Sequence, residues 1–393
     1  MSHRSKNKPL PFFIEKRLNH YIQDLITQNE CKKHLVMGTR PRENSVVMQS
    51  NDYLSLSHNK KIQQAHRQAI EEHDNNVVMS AIFLQGEESK HAFESELACY
   101  MGMESCLLSQ SGWAANIGLL QTICPAGTPV YIDFFAHMSL WEGIRAAGAD
   151  AHPFMHNNMN HLRKQLERYG PGVIVVDSVY STIGTIAPLG DIYEMAQEFD
   201  CALVVDESHS LGTHGTKGAG LVEALGLTDQ VDFITASLAK TFAYRAGAIL
   251  GPKKLSDTLP FVAYPAIFSS TVLPPEVARL EKTLAVIKDS DHQRKTLFKR
   301  AKLLTTGLKQ IGFTIRSESQ IVALECGSER NTERVRDFLE ARDVFGAVFC
   351  RPATGKNKNI IRFSLNSDMT VNDIDHVLTV CHDAYHHPEL EFV

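Results

Sequence analysis

Ala202-Leu203-Val204-Val205-Asp206-Glu207-Ser208-His209 is the stretch on which the fold turns. Four apolar residues run without alternation into an acid, and a histidine follows three positions later. A strand of this kind is buried on both faces, as in a parallel sheet covered by helices. Related runs flank it at Cys106–Leu108, Val130–Ile132, Val173–Val176 and Phe233–Thr235, with helical stretches between them. The alternation predicts an α/β fold built on a large, mainly parallel sheet. Ligands of such sheets bind beyond the carboxyl ends of the strands. Asp177, Asp206 and Ser237 therefore mark where chemistry is to be sought.

Further along, the alternation stops at Leu273-Pro274-Pro275. A long charged helical stretch runs from there to about Ile311. Strand-like pieces follow at Phe313–Ile315, Ile321–Leu324 and Asn359–Phe363, with helices expected at Thr332–Ala341 and Val371–Tyr385. This reads as a smaller α+β domain. Near the start, Phe13, Leu18, Tyr21, Ile22, Leu25 and Ile26 share one helical face, predicting an amphipathic helix packed on the body or on a partner subunit. The expected division is an N-terminal helical segment 1–50, a large cofactor-binding domain 51–275 and a small C-terminal domain 276–393.

The chain has 393 residues, 43% hydrophobic and 22% charged, enough for two or three structural units at roughly 100–200 residues each. Forty basic against 45 acidic residues give a net charge of −5, which argues against a general nucleic-acid binder or a polybasic membrane protein. Eight cysteines at 31, 99, 106, 124, 201, 326, 350 and 381 include no CxxC pair, so neither a disulfide framework nor a metal site is expected. The basic start Met1–Lys6 is followed only by Phe12-Phe13-Ile14, too short for a signal peptide. No apolar run approaches the roughly 18 residues that span a bilayer. A cytoplasmic location is expected.

The chemistry gathers at the strand ends. Phe233-Ile234-Thr235-Ala236-Ser237-Leu238-Ala239-Lys240 closes one strand with hydroxyls and a lysine, as Ala202–Asp206 closes another with an acid. An acid that can sit under a ring nitrogen and a lysine that can form an imine are what pyridoxal phosphate requires. Alone, Asp206 reads as a strand-end turn residue and Lys240 as a solvated lysine. Together they point to the cofactor. Ser109-Gln110-Ser111-Gly112-Trp113 leaves a strand and opens an apolar helix; free amides at such a helix start attract phosphate, although turns of this sort are common. His137 follows the Val130–Ile132 strand at the same edge, where an imidazole could stack on a ring or simply cap a helix.

Asp206-Glu207-Ser208-His209-Ser210-Leu211-Gly212 and Ser237-Leu238-Ala239-Lys240 resemble the α-oxoamine synthase family of fold-type I pyridoxal-phosphate transferases, over about Asn51 to Phe363. Within it, Ser109–Trp113, Ile132–Trp141 and Thr241–Arg245 are similar to the autoinducer synthases of quorum sensing. The resemblance implies that Lys240 anchors the cofactor and Asp206 pairs with its ring nitrogen. His209 and Ser181 would bond the ring hydroxyl, and His137 would stack on the ring. Ser111, the amides of Gly112 and Trp113, and the Ser237 hydroxyl would form the phosphate seat, with Ser270 reaching it from a second subunit. Arg362 would bind an amino-acid carboxylate, with Asn51 and Tyr53 nearby.

Two segments depart from the family pattern. Thr241-Phe242-Ala243-Tyr244-Arg245 replaces a glycine-rich loop, and Met79-Ser80-Ala81-Ile82-Phe83-Leu84-Gln85 replaces a Gly-Ser-Gly motif. Ile82, Phe83, Leu84 and Phe242 are expected to form an apolar mouth suited to a medium-chain acyl group. The implied reaction is a decarboxylating condensation of an acyl-CoA with an amino-acid donor of the S-adenosylmethionine or 2-aminobutyrate type, in a homodimer. Another α-oxoamine synthase, a fold-type I aminotransferase or aldolase, and a non-catalytic ligand sensor are the competing readings.

Overall fold

A computed structural model of the chain describes residues 9–23, 34–72, 78–84 and 88–393. Met1–Lys6, Leu25, Ile26, Cys31 and Gln85 lie outside the described residues. Eleven strands are formed among those described: β1 (Val46–Met48), β2 (Ser105–Ser109), β3 (Pro129–Asp133), β4 (Asp150–Phe154), β5 (Val173–Asp177), β6 (Ala202–Asp206), β7 (Phe233–Ser237), β8 (Gly247–Gly251), β9 (Ile321–Gly327), β10 (Val344–Phe349) and β11 (Asn359–Ser364). Seven form one sheet in the order β2-β8-β7-β6-β5-β3-β4, and four form a second in the order β1-β10-β11-β9.

In the large sheet β4, β3, β5, β6 and β7 run parallel, and only β8 opposes its neighbours β7 and β2. This is the fold-type I architecture. Alternate residues of the central strands face opposite ways, and both faces are covered. Val130, Ile132, Val173, Val175 and Val204 enter one apolar cluster, while Tyr131, Ile174, Val176, Leu203 and Val205 enter the other. The uninterrupted apolar runs follow from this double burial. Parallel register then brings Asp133, Asp177, Asp206 and Ser237 to the same edge, at the carboxyl ends of β3, β5, β6 and β7.

All five strands expected in this sheet form. β4 and β8 were not anticipated. The first is a polar edge strand carrying Pro153, and the second is a short run closed by Gly247 and Gly251. In the C-terminal part Phe313–Ile315 is irregular rather than a strand. Phe313 and Ile315 are buried in the core even so. The charged helical stretch is two helices, Pro274–Lys288 and Asp291–Ile311, broken at Asp289-Ser290. The segment before residue 51 is not only helical, because β1 joins the small sheet alongside β10.

One apolar expectation is narrowed and another corrected. The helix Phe12–Gln23 forms, and Phe13 and Leu18 of its expected face are 73% and 49% exposed, so of the two expected partners these side chains do not use the body of their own chain. Phe242 does not line a mouth. It is 1% exposed and sits in the main apolar cluster. Replacing Phe242 with Ala should therefore cost about 3–5 kcal/mol of stability, read as a lower urea midpoint. A change of acyl-chain preference at unchanged stability would restore it to the mouth.

Candidate active site

A cavity opens at the carboxyl edge of the large sheet. Gly112, Trp113, His137, Asp206, His209, Ser237 and Lys240 line it, together with Asn116, Ser139, Asp177, Val179 and Ser208. Seven residues proposed from sequence are thus brought together. They arrive from four strand ends: Gly112 and Trp113 after β2, His137 after β3, Asp206 and His209 at β6, and Ser237 and Lys240 at β7.

Asp206 lies at the floor. One carboxylate oxygen accepts from Asn116 Nδ2 at 2.7 Å and the other from the Ser208 amide at 2.8 Å. Asn116 is itself fixed, accepting from Thr235 Oγ1 at 2.6 Å and donating to Ser139 Oγ at 2.8 Å. Ser139 Oγ lies 2.7 Å from His137 Nδ1, and the Ser139 amide donates to the same nitrogen at 3.3 Å. Nδ1 is therefore an acceptor, and desolvation pushes the His137 pKa down, so the ring is neutral. Its neighbour is Trp113, edge-on with ring centroids 6.2 Å apart.

Asp177 pairs in register with Asp206 on the adjacent parallel strand. Its carboxylate accepts the His137 amide at 3.1 Å. Burial, and then the Asp206 charge, push its pKa well up. Burial likewise lowers the pKa of the Lys240 ammonium, with Arg362 adding to the effect and Asp206 opposing it. Lys240 Nζ makes no hydrogen bond or ion pair among the described residues.

Ser111 caps the helix Gly112–Ile123, its hydroxyl accepting the Ala114 amide at 3.1 Å. The Gly112 and Trp113 amides have no acceptor among the described residues, the usual condition of a helix start. Gly112 is required here by space: a Cβ would lie 2.5 Å from Ser237 Cβ and 2.8 Å from its Cα. The helix start is thereby pressed against the end of β7. Ser237 is held in turn, because its amide donates to Ser208 Oγ at 2.7 Å.

Arg362, Asn51, Tyr53 and Ser181 form an adjoining cluster outside the cavity lining. Arg362 Nη1 donates to the Ser181 carbonyl at 2.7 Å and Nη2 to Asn51 Oδ1 at 2.8 Å. Its Nε is buried without a partner. Tyr53 is fully buried and meets His209 rather than open space. Ser270 is exposed, forming an isolated bridge with Ser80 away from the cavity of its own chain.

These donors fit pyridoxal phosphate: a carboxylate held by two donors for the pyridine nitrogen, an unpaired amine for the aldehyde, a neutral imidazole, and two free amides at a helix start for the phosphate. Sequence reasoning assigns no role to Asn116 or Ser139, nor to Gln320, whose Nε2 donates to the His209 carbonyl at 2.7 Å. Asn116 could have been found as a polar residue on the apolar helix that follows the phosphate turn. Nothing in the local sequence marks the other two.

The chain has known relatives. The family Aminotransferase class I and II matches residues 43–380. CAI-1 autoinducer synthase of Vibrio campbellii is 81% identical over 392 residues, covering 100% of both chains. An 8-amino-7-oxononanoate synthase of Bacillus pumilus is 32% identical over 345 residues, covering 86% of this chain and 88% of that one. A serine palmitoyltransferase solved with PLP superposes with a TM-score of 0.83 at 23% identity, over 94% of this chain and 96% of the other.

Two outcomes are expected from the site. Gly112→Ala should weaken retention of pyridoxal phosphate by about tenfold on dialysis, since the added methyl must push the helix start off Ser237 at an overpacking cost of about 1–3 kcal/mol; unchanged retention would show that the close approach is not needed. Glu207, beside Asp206, is fully buried, and burial raises its carboxyl from 4.5 to about 7 despite bonds from Leu221 N, Val222 N and Ser210 Oγ. A proton held more tightly in the folded chain stabilises it below about pH 4.5, and that contribution is lost as pH rises to about 7. Glu207→Gln should flatten this part of the decline in melting temperature, and an unaltered pH slope would refute it.

Proposed function

The chain belongs to the class I and II aminotransferase family and is a pyridoxal-phosphate-dependent C-acyltransferase of the α-oxoamine synthase kind, and on that footing we propose that it joins a medium-chain acyl-CoA to an amino acid of the S-adenosylmethionine or 2-aminobutyrate type. Carbon dioxide and free CoA leave, and the α-aminoketone or enaminone formed acts as a quorum-sensing autoinducer. The observation that carries the reading is Arg362, a buried guanidinium held by Ser181 and Asn51 and adjoining the cavity of Lys240 and Asp206, where it would suit a carboxylate. The likeness to CAI-1 autoinducer synthase supports the product class.

Bound pyridoxal phosphate would supply an electron sink for the α-carbon of the amino acid. Arg362 and Asn51 would fix the carboxylate of that amino acid. Lys240 would anchor the cofactor and then, with its pKa lowered by burial, take the α-proton on Nζ. Asp206 would hold the proton on the ring nitrogen. His209 and Ser181 would flank the ring hydroxyl, and His137 would cover the ring and exclude water. Gly112, Trp113 and Ser237 would hold the phosphate, over the Ser111 cap.

We further propose a homodimer in the cytoplasm. Among the described residues no helix is long and apolar enough to cross a membrane. Exposed Phe83, Tyr264 and Phe268 offer an apolar face of the kind that marks interaction sites, and Ser270 beside them would complete the phosphate seat of a second copy. The division at 275/276 is retained as a proposal, with the two sheets in its support.

CoA release should require both an amino acid and an acyl-CoA, and should peak for medium chains when thiol formation is followed across chain lengths. Lys240→Ala should lower it by roughly 10²–10⁴-fold, the usual worth of a general base. Amino-group transfer to a keto acid without thioester consumption would instead identify an aminotransferase.

A further inference from the structure

Tyr53 stands where a substrate contact was expected, yet its ring is fully buried and its hydroxyl lies 2.6 Å from His209 Nδ1. The same hydroxyl is 3.4 Å from Asn51 Oδ1, the oxygen that accepts from Arg362 Nη2 at 2.8 Å. From the other side Gln320 Nε2 donates to the His209 carbonyl at 2.7 Å. The histidine is gripped at backbone and ring. We infer that Tyr53 is a positioning residue that holds His209 in its Nε2–H tautomer, and that Asn51 ties this contact to Arg362.

A phenol has one proton to give. The short contact is to Nδ1 and the long one to Asn51 Oδ1, so the proton is directed to the imidazole. Nδ1 is then an acceptor, and the ring proton must sit on Nε2. The reverse arrangement, with Nδ1–H donating to the phenol, would leave a lone pair on Nε2. The surroundings decide against a doubly protonated ring. His209 faces Lys240, Arg362 and His137, and burial together with these neighbours pushes its pKa well down. Burial pushes the phenol the other way, keeping its proton in place, although Arg362 opposes this.

An Nε2–H donor is what a ring oxygen needs from this histidine, and this use of the tautomer rests on the proposed function. The link through Asn51 gives the arrangement a second property. Asn51 Oδ1 accepts from Arg362 Nη2 and lies beside the Tyr53 hydroxyl, so a carboxylate that draws Arg362 away frees that oxygen to compete with His209 Nδ1 for the phenol proton. Occupation of the carboxylate subsite and the orientation of His209 are thereby coupled through three residues in direct contact.

The test uses the full chain with ¹⁵N-labelled histidine, the His209 signals being assigned by their loss in His209→Gln. In the wild type without cofactor, Nδ1 should show the shift of an unprotonated acceptor and Nε2 that of a protonated nitrogen. Tyr53→Phe should turn this into a mixture of tautomers. In the loaded enzyme the same variant should lower kcat by roughly tenfold, about the worth of one buried hydrogen bond, while KM for the amino acid changes less than threefold. A protonated Nδ1 in the wild type overturns the inference even if Tyr53→Phe does not fold. A rise in KM at unchanged kcat makes Tyr53 a substrate contact and also overturns it. A chain that shows the expected tautomer but takes up no pyridoxal phosphate would defeat the proposed function and leave the inference standing.

Discussion

A carboxylate withdrawn from water must be given donors before anything can be arranged above it, and Asp206 is the group around which this protein is organised. At the end of a strand buried on both faces it can find few donors. The fold supplies an asparagine side chain from the helix Gly112–Ile123 and the backbone amide of Ser208. Each of these is itself committed elsewhere. Asn116 ties Asp206 to Thr235 on β7 and, through Ser139, to the imidazole of His137. Ser208 ties it to Ser237. The groups that would hold phosphate, ring and amine are therefore braced against one buried charge.

The charge pattern of the cavity follows from the same constraint. Asp177 and Asp206 are register partners in a place with little solvent, and two adjacent buried carboxylates do not both ionise readily. Asp206 has two donors, whereas Asp177 has the His137 amide, and burial with the Asp206 charge beside it pushes the Asp177 carboxyl well up. The histidines are held neutral by burial and by the cations nearby. Lys240 and Arg362 remain as the basic groups, one lining the cavity with Asp206 and the other beside Asn51. The two cations thus stand in separate places, as the proposed amino-acid substrate would require.

The parts of this arrangement that depend on strand pattern were legible in the sequence. Apolar runs ending in Asp206 and in Ser237–Lys240 predict a parallel sheet and put the acid and the lysine on one edge. What was not legible depends on how side chains pack in three dimensions. Tyr53 reads as a turn residue near Asn51, and nothing local shows that its hydroxyl crosses to His209. Phe242 sits next to the lysine in sequence but turns into the core. The edge strand β4 has too little apolar surface to declare itself, and β8 is masked by its glycines. Polar residues that brace others, such as Ser139 and Gln320, carry no spacing signature.

The pairing of β1 with β10 has a consequence for how the protein is made. Val46 is in register with Val344, so the earliest strand among the described residues waits for almost the latest before it gains a partner. At about 5–20 residues per second on the ribosome, the delay is of the order of 15–60 s. Asn51 and Tyr53 directly follow β1, and Arg362 lies on β11 in the same sheet. A nascent chain that has already emerged past Lys240 thus holds the lysine and the acid of its site, while the Asn51–Arg362 contact awaits the C-terminal strands. Synthesis itself sets the order in which the two halves of the site are assembled.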